Sequence, residues 1–190
     1  MSNYNILEWY DGQPKDSLKL CSYDDINDEY LISSDLKAIN FDKVKTDFCR
    51  ESTTIKSLKS ADALYLHSEH NSIYLFEFKN AIIEKEVDSK SVMSKIKILE
   101  IKEKIYDSYF ILKQKKLQNF TNPKLRFILV YNGEKNPDSK VGISNHLARK
   151  SNKTFVRFGL NKFKGYLYDD VFTMTADIFE KFVDNDFIMS

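Results

Sequence analysis

The strongest constraint on this chain lies between residues 61 and 79. Two apolar, aromatic-rich runs, 61–67 and 73–78, flank the polar stretch His67-Ser-Glu-His-Asn-Ser72. Two such runs joined by a short turn-forming loop read as an antiparallel hairpin. Symmetric folding about Glu69 and His70 sets Asp62 directly across from Glu77. Side chains alternate along a strand, so Glu77 and Lys79 share one face. Like charges directly opposite each other on a sheet repel. The pair therefore calls for a neutralising cation, which Lys79 supplies in part and a divalent ion would supply more fully.

The hairpin needs neighbours, and the flanking patterns provide them. Phe41, Val44 and Phe48 recur at helical spacing, which predicts a helix over 41–51. Residues 53–59 offer a short first strand. Residues 88–118 read as a long helix, capped by Asp88 or Ser89. Val92, Ile96, Leu99, Ile105, Tyr109 and Leu112 form its apolar stripe, and Lys90, Lys95, Lys97, Lys102 and Lys104 decorate much of the remainder. Pro123 ends that unit. The run 126–131 (Arg-Phe-Ile-Leu-Val-Tyr), closed by Asn132-Gly133, suits a strand buried on both faces. The long helix is a crossover, so this strand can lie parallel to the second strand of the hairpin. Further on, 139–150 is a helix candidate, 155–158 and 171–174 are strand candidates, and Thr175 can cap a helix over 176–183 with Ile178, Phe179 and Phe182 inward. The region before residue 35 is harder to read; Ser22 to Glu29 looks like an acidic loop. The expected fold is a single α/β domain over 1–190 with a mixed sheet, a core at 41–131, and a C-terminal extension at 132–190 packed on it.

Composition narrows the partners. The net charge of +1 conceals a middle segment, residues 79–164, with 20 basic and 8 acidic residues; residues 1–62 carry 8 basic and 12 acidic. Such a basic segment suits a polyanion, or equally a solvated lysine-rich helix face. No apolar run reaches the roughly 20 residues that cross a bilayer. The N-terminus lacks the basic start and apolar core of a secretory signal. Cys21 and Cys49 have no metal-site spacing, which suggests a reduced, cytoplasmic setting.

Two carboxylates suit a hard cation such as Mg²⁺, which takes oxygen ligands and keeps several waters. Water on such a metal deprotonates more easily, and an adjacent lysine can orient it and stabilise developing negative charge. Phosphodiester hydrolysis is the reaction class these groups suggest. Asp62, then Glu77-Phe78-Lys79 after an apolar strand, then an amphipathic helix and a buried strand, resembles the PD-(D/E)xK nuclease superfamily, which includes many restriction endonucleases. The stretch 100–111 adds a similarity to small bacterial members. The resemblance implies a restriction-endonuclease-like core of order α-β-β-β-α-β. It also implies Asp62, Glu77 and Lys79 as catalytic residues, with Mg²⁺ or Mn²⁺ held by Asp62, Glu77 and the Phe78 carbonyl. DNA is the implied substrate, and a homodimer is compatible. Some members carry a glutamate on the first helix, for which Glu51 is best placed. Ala61 stands where the motif often has proline. Glu100-Ile-Lys102 matches the short E-x-K pattern too, but within the predicted helix.

Other features weigh less. His67 and His70 read as exposed loop residues and His146 as a surface residue. Ser60 has no histidine base positioned by sequence, and no glycine-rich phosphate loop exists. The aromatic run 155–168, interleaved with Arg157, Lys162 and Lys164, could stack bases, but packing of its rings on the core is the better reading. Two alternatives to an enzyme stand: a catalytically silent module of the same fold that binds nucleic acid or a protein, and an inhibitor-like protein whose acidic segments face a basic partner.

Overall fold

A computed structural model describes residues 6–83, 92–115, 123–137 and 156–188. The elements, in chain order, are α1 (Ile6–Asp11), β1 (Lys15–Ser17), α2 (Leu18–Cys21), β2 (Tyr23–Asp24), β3 (Glu29–Tyr30), β4 (Lys37–Asn40), α3 (Phe41–Glu51), β5 (Ala63–His67), β6 (Ser72–Lys79), α4 (Val92–Gln114), β7 (Lys124–Tyr131), β8 (Asp170–Thr175) and α5 (Ala176–Val183), with a π-helical turn at Asp184–Ile188. Six strands form one mixed sheet in the order β1-β4-β5-β6-β7-β8, and β2 and β3 pair separately. The first four strands run antiparallel; β6, β7 and β8 run parallel. The chain is thus α/β with a central mixed sheet flanked by helices.

The hairpin register matches the sequence expectation, with Ala63 opposite Phe76 and His67 opposite Ser72. Asn71 absorbs the reversal with φ 45°, a conformation asparagine tolerates well. Alternation then assigns two faces. Leu64, Leu66, Ile73, Leu75, Phe127 and Leu129 pack on one side with Ile101 and Ile105 of α4. Tyr74, Phe76, Phe78, Ile128 and Val130 pack on the other with Phe179 and Val183 of α5. The second face is strongly aromatic: the Phe179 ring meets Phe76 at 5.2 Å and Phe78 at 5.8 Å, both edge-on.

Several expectations change. Residues 53–59 form no strand. The strand beside the hairpin is β4, which precedes α3, so the order around the core is strand, helix, hairpin, helix, strand. Asn40 ends β4 and caps α3 with its side chain, and β4 already pairs with β5 through Ile39–Leu64 and Asn40–Ala63, so that edge of the hairpin is taken before the chain reaches 53–59. In α4 the buried positions are Ile101, Ile105, Ser108, Ile111 and Leu112, whereas Ile96 is 45% and Leu99 56% exposed. Ile105, Leu112 and the half-buried Tyr109 thus face the core as the stripe predicts, whereas Ile96 and Leu99 do not; apolar residues encircle this helix, so periodicity alone does not single out its buried side. The ends of the expected 88–118 helix, its caps included, the Val92 side chain, the 139–150 helix and His146 lie outside the described residues. Val156 and Arg157 are not in a strand. The β8 and α5 expectations hold, with Phe179 buried, but Ile178 faces outward and Thr175 makes no side-chain capping bond. His67 is buried, its ring stacked on His70 at 4.1 Å and its Nε2 3.1 Å from the Asp186 carbonyl oxygen. The acidic 22–29 stretch folds back through β2 and β3, its turn held by Asp24 accepting from the Ile26 amide. Phe158, Phe163 and Tyr168 pack their rings into the core. Residues 170–175 add the outer strand beside β7.

Phe179 is the hub of the aromatic face. Phe179→Ala should cost about 3–5 kcal/mol and loosen α5 from the sheet. Urea unfolding checks the loss, and faster amide hydrogen exchange in residues 176–183 checks its location.

Candidate functional site

Asp62 stands one residue before β5. Its amide donates to the Phe76 carbonyl, which extends the hairpin ladder by one step. Asp62 thus lies just past the last ladder pair, Ala63 and Phe76, and its carboxylate and that of Glu77 reach the same lysine of α4. Glu77 and Lys79 continue the Ile73-Leu75 row, so the row is apolar at one end and charged at the other. Asp62 Oδ2 accepts from the Phe78 amide at 2.6 Å. This bond occupies the part of β6 that runs past the end of β5. The Phe78 carbonyl belongs to the same edge, because one residue's N–H and C=O point the same way in a ladder. The Phe78 ring is turned away into the aromatic face.

Glu77 is fully buried. Lys79 Nζ lies 3.1 Å from Glu77 Oε1, yet no hydrogen-bond donor is aligned on that oxygen. The decisive neighbour comes from α4. Lys104 Nζ sits 2.9 Å from Asp62 Oδ1 and 2.8 Å from Glu77 Oε2, bridging the two carboxylates. Its position is fixed by the next turn of the helix, where Asp107 accepts from the Lys59 amide and Ser108 from the Ala61 amide. Two acids and two lysines balance one another at this end of the sheet.

Burial, and then the Glu77 charge, push the Asp62 carboxyl up to about 7, against the pull of Lys104 and the Phe78 amide. Burial works against the Lys104 charge, but Glu77 and Asp62 outweigh it and raise its pKa above the usual lysine range. Asp62, Phe78, Lys79 and Lys104 open onto a cleft of about 880 Å³. Lys97 and Lys135 line it as well, as do Asp24, Asp25 and Asp42 on other walls. Glu29 of β3 ties the short hairpin to this wall through Asn80 at 2.5 Å and Lys135 at 3.2 Å.

The structure therefore brings together Asp62, Glu77, Lys79 and the Phe78 main chain. It does not bring Glu51 to them. Glu51 lies at the far end of α3, about 14 Å along the helix from Asp42, where it pairs with Lys115. The acid of α3 that lines the cleft is Asp42, held by Lys45 and the Ser60 hydroxyl. Lys104 was grouped with the surface lysines in the sequence reading. Its signal was present: it falls in the 101-104-105-108 frame, and a lysine in a buried frame requires an acid partner.

The donors fit a hard divalent ion in type: two carboxylates, one carbonyl, and a buried oxygen of Glu77 with no aligned donor. The space between the carboxylates is held by the Lys104 ammonium. Among the described residues no three His, Cys, Asp or Glu side chains cluster as a metal site. No described helix is long and apolar enough to cross a membrane. No family model, curated protein or solved structure matches the chain.

Opposite stability effects are expected at the two ends of the bridge. Lys104→Met leaves two buried carboxylates without their cation and should cost about 3–5 kcal/mol. Asp62→Asn removes the like charge and should stabilise the fold by about 1–2 kcal/mol at pH 8. The native state holds the Asp62 proton more tightly than the unfolded chain does. This group's contribution to stability therefore falls as pH rises from about 4 to about 7. The advantage of Asp62→Asn should accordingly widen between pH 4 and pH 8, read by urea unfolding at both.

Proposed function

We propose that this protein is a metal-dependent phosphodiesterase acting on DNA, of the PD-(D/E)xK type, with a restriction-endonuclease-like core. The observation that carries the reading is the Asp62–Glu77 pair, with Asp62 and Lys79 on the wall of a cleft that Lys97 and Lys135 also line and Glu77 sealed directly behind them. A protein with only a structural use for this position gains more from apolar side chains there. Asp62, Glu77 and the Phe78 carbonyl would hold Mg²⁺ or Mn²⁺. The ion supplies Lewis-acid stabilisation of a phosphoryl oxygen and a readily ionised water. Lys79 projects from the same strand face as Glu77, where its ammonium can orient the attacking water and offset negative charge on the phosphate. Lys97 and Lys135 face the same cleft and can position the flanking phosphates as point charges.

A second reading rests on Lys104. An ammonium bridging both carboxylates neutralises the site without a metal. A protein that never releases it is a catalytically silent module, which uses the cleft to bind nucleic acid or a protein partner.

Incubation with supercoiled plasmid and linear single-stranded DNA separates the two. With Mg²⁺ or Mn²⁺, and not with EDTA, the first reading expects nicking or linearisation. Lys79→Ala and Glu77→Gln should each lower the rate by about 10²-fold or more. Binding of DNA without cleavage under every metal condition favours the silent module. Cleavage that persists in both variants places the activity elsewhere.

A further inference from the structure

We infer that Lys104 is a built-in competitor for the metal position: its ammonium holds the Asp62–Glu77 pair when no divalent ion is bound, and must leave it when one binds. The inference rests on the metal-centre reading above and concerns how that centre is loaded. Lys104 Nζ contacts one oxygen from each carboxylate, at 2.9 and 2.8 Å. Those are the oxygens through which two carboxylates would share a cation. An ammonium and a divalent ion repel, so the two would compete for this position. The fully buried Glu77 also keeps a second oxygen, Oε1, with no aligned donor. Lys104 does not reach that oxygen, which has the Lys79 ammonium beside it at 3.1 Å.

The side chain has somewhere to go. Lys104 borders the cleft of about 880 Å³ that Lys79, Lys97 and Lys135 also line. The α4 backbone stays anchored by Asp107 and Ser108, so only the flexible four-carbon stem has to swing. Displaced into the cleft, Lys104 becomes another cation facing a bound phosphodiester. Metal loading thus moves one positive charge from the carboxylate pair to the substrate side. Lys104 acts through the carboxylates and is a positioning residue, with no part in holding the metal.

The test reads metal binding and lysine exposure, without any assay of cleavage. Metal-stripped wild type and Lys104→Met are titrated with Mn²⁺ and Mg²⁺ by calorimetry and thermal shift. If Lys104 holds the pair nine-tenths of the time or more, its removal tightens the apparent Kd at least about tenfold. The metal should also raise the Tm of Lys104→Met more than that of wild type. Lysine acetylation with an N-hydroxysuccinimide ester, read by peptide mass spectrometry, follows Lys104 directly in wild type. Its labelling should rise several-fold with Mn²⁺, and in Glu77→Gln, which lacks one of the two metal ligands, the addition of Mn²⁺ should not change it. This arm stands even where Lys104→Met folds poorly.

Metal binding to wild type with Lys104 still protected overturns the inference and leaves the metal centre standing. So does a Lys104→Met protein that folds and binds metal no tighter than wild type. Failure of both wild type and folded Lys104→Met to bind either ion overturns the metal centre itself, and the inference with it.

Discussion

The bridge from Lys104 to Asp62 and Glu77 is the interaction on which the layout of this protein turns. Two carboxylates face each other across a hairpin at the end of an otherwise apolar row. In a low-dielectric setting that pair persists only with positive charge between or beside it, or with a proton on one of the acids. The α4 helix provides the charge, and the same helical turn seats the helix on the start of β5 through Asp107 and Ser108. One turn of helix thus fixes both the crossover that lets β7 lie parallel to β6 and the electrostatics of the strand end. Tyr168 donates its hydroxyl hydrogen to the Ile105 carbonyl from the C-terminal segment and buttresses the same turn.

The opposite face of the sheet supports this arrangement indirectly. Phe76 and Phe78 alternate with Glu77 and Lys79, so burying the rings against Phe179 aims the charged pair forward. A one-residue slip would send the carboxylates into the aromatic layer and the rings into the cleft. The aromatic cluster therefore specifies the register that the site requires. It also explains why a C-terminal helix far from the charged residues in sequence bears on their placement.

The hairpin, its register, α3, the buried strand β7 and the helix α5 were legible in the sequence, because each depends on local pattern. Alternation set Asp62 across from Glu77 without any knowledge of the rest of the fold. What escaped depends on tertiary choice. The strand beside the hairpin lies at 37–40, and four residues carry too little pattern to be recognised alone. The buried face of α4 was legible only in its second half: Ile105 and Leu112 are buried and Tyr109 packs on the core as the stripe predicts, but apolar residues encircle the helix, and only packing selects Ile101 and Ile111 over Ile96 and Leu99. Lys104 was lost for the same reason: where the buried side is not singled out, a buried lysine looks like a surface one. His67 was misjudged for a similar reason, since the cover over it comes from residues 184–188.

The placement of the four charges bears on why they are there. A buried ion-pair group that serves only stability is often matched or surpassed by apolar residues of similar volume. Here the row that begins Ile73-Leu75 could have continued that way, and the strand would have lost nothing as a strand. The charges instead sit where β6 outruns β5, so that Asp62, Lys79 and Lys104 border open space while Glu77 is sealed behind them. Sealing one carboxylate raises the cost of leaving it unpaired, and opening its partners lets the pairing cation be exchanged. A purely structural cluster has no use for that asymmetry. The proposed exchange of Lys104 for a divalent ion would depend on it.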